Sequence, residues 1–209
     1  MPTVAGETTP LTSKSSGVDD GVPRGAWKDG IFGCFSLGLC HPSLWCAWCC
    51  PQILMGQVLT RMNMSWLGER DSPEAVSTFR KVVYVVVAYY VLSSIFAPAQ
   101  PQFDEDKGEL IRPDVNPLSY LIYQAVNACF GLYSLIVMVK LRAAVRERYT
   151  LPDQTPCGDM LEDICCVCCC GCCTISQLAR HTADYEERRA VWCSSTGLPP
   201  NRNAVQLVV

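Results

Sequence analysis

Two stretches of this chain carry no charge over membrane-scale lengths, and they limit the folds open to it. Val82–Ala97, "VVYVVVAYYVLSSIFA", runs for sixteen residues, and Leu118–Val139, "LSYLIYQAVNACFGLYSLIVMV", for twenty-two. As helices rising 1.5 Å per residue they reach about 24 and about 33 Å, against a hydrocarbon core of roughly 30 Å. The first needs Phe79 and Pro98 in the interfacial layers to span. The rival is a pair of core elements in a soluble fold, and the β-branched run Val82–Val87 would suit a buried strand. Two long uncharged segments so close together are rare in a soluble core. Tyr84, Tyr89, Tyr90, Tyr120, Tyr123 and Tyr133 also suit segments whose rings approach headgroups. A transmembrane helical hairpin fits better.

Its flanks give an orientation. Arg80 and Lys81 precede the first segment, and Lys140, Arg142, Arg146 and Arg148 follow the second. Residues 98–117 between them carry five acids and two bases. Basic residues stay cytosolic, so both outer ends are expected in the cytosol and the acidic loop outside or in a lumen. The basic run "KLRAAVRERY" is expected to continue the second helix and touch anionic headgroups. A third stretch, Gly30–Thr60, has no Asp, Glu, Lys or Arg, yet Gly33, Gly38, Pro42, Pro51 and Gly56 interrupt it. Such breakers favour a re-entrant or interfacial segment over a full span.

The remainder is polar. Residues 1–25 are rich in Thr, Ser, Gly and Pro and read as a disordered arm, with no apolar core of a secretory signal. Residues 194–209 read as a disordered tail. A net charge of −3 offers no basic face, so no nucleic-acid partner is expected.

Fifteen cysteines remain to be explained, seven of them between Cys165 and Cys173. On the topology above, both clusters face the cytosol, where permanent disulfides are not expected. Cys46-x-x-Cys49, Cys166-x-x-Cys169 and Cys170-x-x-Cys173 each let one segment offer two thiolates to a tetrahedral ion. Cys46, Cys49, Cys166, Cys169, Cys170 and Cys173, with Cys50 adjoining the first pair, are the candidate metal ligands. Their softness favours Zn²⁺, Cu(I) or Cd²⁺. Two other readings stay open: juxtamembrane cysteines are acylation sites, and cysteine is also a small apolar residue that packs well. Thr174 and Gln177 resemble a capping box, which would begin a helix running to about Trp192 with pairs such as Asp184–Arg188. His41 and His181 are the only histidines, and no base–nucleophile set is evident, so no enzyme is expected.

Together these motifs resemble the placenta-specific-8 cysteine-rich family, which includes cornifelin, plant cadmium-resistance proteins and the fruit-weight or cell-number regulators. Trp27, Gly30, Cys40, Cys50-Pro51 and Gly56-Gln57 match its first motif. Cys157-Gly158-Asp159, Cys165 to Cys173 and Gln177 match its second, and "KLRAAVRERYTLP" precedes it. Gln52 stands where the family's Cys-Pro-Cys has its second cysteine, and Ser176 stands where many members have another. The resemblance implies a small, self-associating membrane protein with no agreed catalytic activity, linked in plants to cadmium and zinc tolerance or to organ size.

The expectation is a mainly α, small helical membrane protein: a transmembrane helical hairpin plus a cysteine-rich module formed by two separate motifs. Residues 26–193 form the domain. It comprises the first cysteine motif (26–61), the hairpin (80–139), and a basic helix, second motif and polar helix (140–193). The expected partners are membrane lipid, divalent or soft metal ions and further copies in a homo-oligomer. The plasma membrane is the expected location, with both cysteine clusters facing the cytosol. The function expected is soft-metal handling or transport, with Zn²⁺ the ion named; the alternative is a palmitoylated scaffold or regulator of cell growth that transports nothing.

Overall fold

The computed structural model describes residues 22–38, 41–99, 102–104, 109–111, 116–152, 159–185, 187–192 and 194–199. Most of the expected arm, Cys40, Cys157-Gly158, Cys193 and the last ten residues lie outside them.

The hairpin is present. Helix α3 (Thr78–Phe96) and helix α4 (Pro117–Tyr149) pack against each other, joined through a short antiparallel ribbon of β1 (Gln102–Asp104) and β2 (Glu109–Ile111). Starting at Thr78 rather than Val82 gives α3 nineteen residues, about 28 Å, which removes most of its shortfall. Asn116 caps α4 by accepting a hydrogen bond from the Leu118 amide at 3.0 Å, with Pro117 at the first helical position. Thr150, in the left-handed conformation at φ 53°, closes the other end. Across the seam, Tyr89 stacks on Phe130 with centroids 3.9 Å apart and donates to Asn127 Oδ1 at 2.9 Å. Asn127 is thus engaged inside the hairpin.

Gly30–Thr60 contains no single spanning helix among its described residues. Helix α1 (Pro42–Cys49) and helix α2 (Pro51–Arg61) are about 12 and 16 Å long and meet at Cys50-Pro51. Pro51 has no amide hydrogen to continue α1, so the chain turns and α2 starts afresh. Gly56 lets α2 approach α3 closely, since a Cβ there would lie 3.2 Å from Val82.

A third spanning candidate was not foreseen. The run 73–96, α4 and Met160–His181 are all long and apolar enough to cross a membrane, by length and composition. The third lies in helix α5 (Asp159–His181), which is not straight: Cys170 has non-helical angles, φ −151° and ψ 72°. The Thr174 hydroxyl bonds the carbonyls of both Cys170, at 3.0 Å, and Cys166, at 2.9 Å. Residues eight apart on a straight helix are about 12 Å from each other along the axis. The bond to Cys166 therefore requires α5 to fold back on itself at Cys170.

Three further expectations are corrected. Thr174 lies inside α5 rather than capping a new helix, and α5 ends at His181, not near Trp192. Beyond His181 the described residues form turns rather than helix, and Asp184 lies 3.5 Å from Lys28 Nζ. Arg142 and Arg146 turn inward and are buried instead of meeting headgroups. The start of the expected tail is packed: Gln57 Nε2 donates to the carbonyls of Trp192 at 2.8 Å and Ser194 at 3.1 Å, and Leu198 is buried.

Candidate metal centre

The base of the α5 hairpin is ionic and closed. Arg142 is completely buried. Its guanidinium donates to Asp163 Oδ1 at 2.9 Å, Glu162 Oε1 at 3.2 Å and Gln177 Oε1 at 3.1 Å, and lies 4.9 Å from the Trp27 ring centre. Asp163 and Gln177 would be about 21 Å apart on a straight helix, so one side chain ties the two arms together. Arg146 adds a second bond to Asp163 at 3.2 Å, balancing two cations against two anions. Gln177 passes the network on by donating to the Asp29 carbonyl at 3.0 Å, and Arg180 pairs with the Asp29 carboxylate. Trp27, Gln57 and Gln177, which carried the family resemblance together with the cysteines, are thus architectural.

Next to this base, Arg61 donates to the Ala179 carbonyl at 3.1 Å and joins the end of α2 to the end of α5. His41 caps α1 by accepting from the Ser43 amide at 3.3 Å and packs 5.0 Å from the Tyr185 ring. Burial, with the nearby Arg180 charge adding to it, holds the His41 imidazole below its usual pKa of 6.5. A neutral ring is what this cap requires, because a protonated Nδ1 cannot accept.

Cys166 lies within electrostatic reach of Arg142, Glu162 and Asp163, and the cysteines after it in α5 lie further from this base. Cys165, Cys168, Cys169 and Cys172 are exposed, Cys166 is partly covered, and the opposite face of α5 sends Val167, Ile175 and Leu178 into the core. In the other motif Cys46 is buried, Cys50 partly covered and Cys49 exposed. A groove of about 480 Å³ connects the motifs, bounded by Trp45 and Trp48 on α1 and by Cys172 and Cys173 on α5. The turn between α1 and α2 and the turn in α5 are adjacent tips.

The sulfurs of Cys170, Cys172 and Cys173 all lie within 4.8 Å of one another, the single such group among the described residues. Cys170 and Cys172 are 3.7 Å apart. Two thiolates on one tetrahedral ion, each at about 2.3 Å, are separated by about 3.8 Å, so this pair already has the spacing a zinc-like ion needs. Cys170 and Cys173 are joined as a disulfide with Cα atoms 5.3 Å apart, where reduced thiols were expected. A three-residue gap places the two Cα atoms within disulfide reach. Of the seven expected ligands, Cys170 and Cys173 belong to the group. Cys46, Cys49, Cys50, Cys166 and Cys169 do not, and Cys172 was missed because it completes no C-x-x-C spacing. The departures from the motif have local uses: Gln52 donates to Ser134 on α4 at 3.4 Å, and Ser176 is buried beside Arg180.

The PLAC8 family model matches residues 27–181, about three quarters of the sequence and nearly all of the structure just described. The chain belongs to the PLAC8 family. Searches of curated proteins and of solved structures returned no match. As a PLAC8 protein it has the expected fold class, a mainly α membrane fold with a cysteine module drawn from two motifs, and it carries a cysteine cluster able to bind a metal ion.

Proposed function

We propose that this PLAC8 protein takes up a soft metal ion, zinc or cadmium, at the α5 tip and handles it at the cytosolic face of the plasma membrane as a homo-oligomer. The proximity of the Cys170, Cys172 and Cys173 sulfurs supports this reading most directly. Three soft donors suit these ions over Mg²⁺ or Ca²⁺. Three protein ligands also leave one tetrahedral corner open, as in sites that exchange a ligand, whereas structural zinc sites are closed by four. The ion here is cargo, and the reducing cytosol supplies the thiol form of the Cys170–Cys173 pair that ligation requires. A hairpin of two helices encloses no pore, so movement across the bilayer needs several copies. Ala125, Ala128 and Gly131 form an exposed face of small residues on α4 suited to close helix contact.

The test is metal content by elemental mass spectrometry on reduced, detergent-purified protein, compared with a variant carrying Cys170, Cys172 and Cys173 as serine. Near-stoichiometric zinc or cadmium that is lost in the variant, while its melting temperature stays put, is the expected outcome. Equal metal in both, or none in either, overturns the assignment and leaves the acylated scaffold as the reading to pursue.

A further inference from the structure

We infer that the two cysteine-bearing tips dip into the polar–apolar boundary of the lipid leaflet, so that the thiol cluster faces lipid headgroups and upper acyl chains rather than bulk cytosol. The depth follows from three contacts. Gln52, at the start of α2, bonds Ser134, which lies five residues inside the apolar segment ending at Val139, about 8 Å along α4. Arg61, at the other end of α2, bonds Ala179 near the end of α5. The second arm of α5 therefore runs alongside α2, and its beginning, at Cys172, lies level with the start of α2. The first arm agrees: Asp163 sits at the level of Arg142 and Arg146, and the seven residues to Cys170 rise about 10 Å back towards the hydrocarbon.

The surface at that depth has the matching chemistry. Trp48 is 72% exposed, Phe32 77% and Phe35 63%, with Trp45 beside them, around the groove that Cys172 and Cys173 border. Four exposed aromatic rings on one side of a small protein are a costly surface in water, whereas amphipathic tryptophans belong at the membrane interface. Neither 30–60 nor 164–179 contains a charged side chain, so nothing on either tip opposes insertion. The patch lies at the depth of Leu132 and Ile136, exposed residues of α4 within its apolar segment. At the α5 turn the carbonyls of Cys166 and Cys170 accept bonds from the Thr174 hydroxyl, the kind of protein partner that irregular backbone needs at that depth. Penetration of 5–10 Å is the usual depth for such interfacial elements. This inference does not depend on whether the thiols hold a metal.

The experiment is tryptophan quenching on the full chain in phosphatidylcholine nanodiscs, with bromine carried high in the acyl chains, compared with aqueous iodide. The Trp45→Phe/Trp48→Phe variant, conservative enough to keep the fold, identifies the component due to the tips. The expected result is quenching by brominated lipid but not by iodide, with loss of the lipid-quenched component in the variant. Iodide quenching of that component puts the tips in water and overturns the proposal. Quenching by neither puts the pair against a second copy or another protein, and overturns it equally.

Discussion

The two ends of α5 are built from opposite materials. At its base, Arg142 reaches both arms, and Arg142, Arg146, Glu162 and Asp163 are buried and paired with one another. At its tip stand seven cysteines in nine residues, two of them joined as a disulfide, and four of the seven are exposed. The difference separates two parts of one motif: the base ties the two arms of the hairpin together, and the tip carries the exposed cysteines. A family signature dominated by cysteine therefore encodes its fold largely through the residues that are not cysteine.

Breaking the base gives the largest effect. Arg142→Met leaves Glu162 and Asp163 buried without their shared cation, and removing one side of a buried pair costs about 3–5 kcal/mol. Thermal unfolding in detergent should show that loss, together with loss of any bound metal, since the tip no longer has a fixed shape. Gln57→Ala is next. It strips the donor from the Trp192 and Ser194 carbonyls, an expected cost of about 1–3 kcal/mol, and proteolysis should then begin after His181 while α1 to α4 stay protected. The smallest effect is in pH. The folded protein holds His41 below 6.5, so the unfolded chain binds its proton more readily. The cap's contribution is complete above pH 6.5 and is lost as pH falls through and below that value. A melting series from pH 7.5 down should show this decline, and His41→Asn, which caps without titrating, should remove it.

The hairpin was legible because absence of charge over twenty residues has few explanations, and Pro51 announced the break between α1 and α2. The fold-back of α5 was hidden, since "CCVCCCGCCTISQLA" has the length and hydropathy of one continuous helix. Its signal lay elsewhere: Glu162 and Asp163 form an acidic pair matched to Arg142 and Arg146, and one partner set for residues on both sides of the cluster implies a bend. Thr174 misled because a hydroxyl four residues after a carbonyl can bond backwards as readily as it caps forwards. The cysteine cluster was half legible. C-x-x-C spacing found Cys170 and Cys173, but Cys172 joins them only because the helix breaks beside it.

Thr174 meets Cys166 across a turn centred on Cys170, four residues to either side. That symmetry makes the cysteine run a measured length. Each residue added to an arm would rotate everything beyond it by about 100°, turning the outward face towards the core and carrying Gln177 past the reach of Arg142. The interval between Asp163 and Gln177 is accordingly set by the span of one guanidinium, and a chain of this fold can exchange one cysteine for another residue far more easily than it can gain or lose a position.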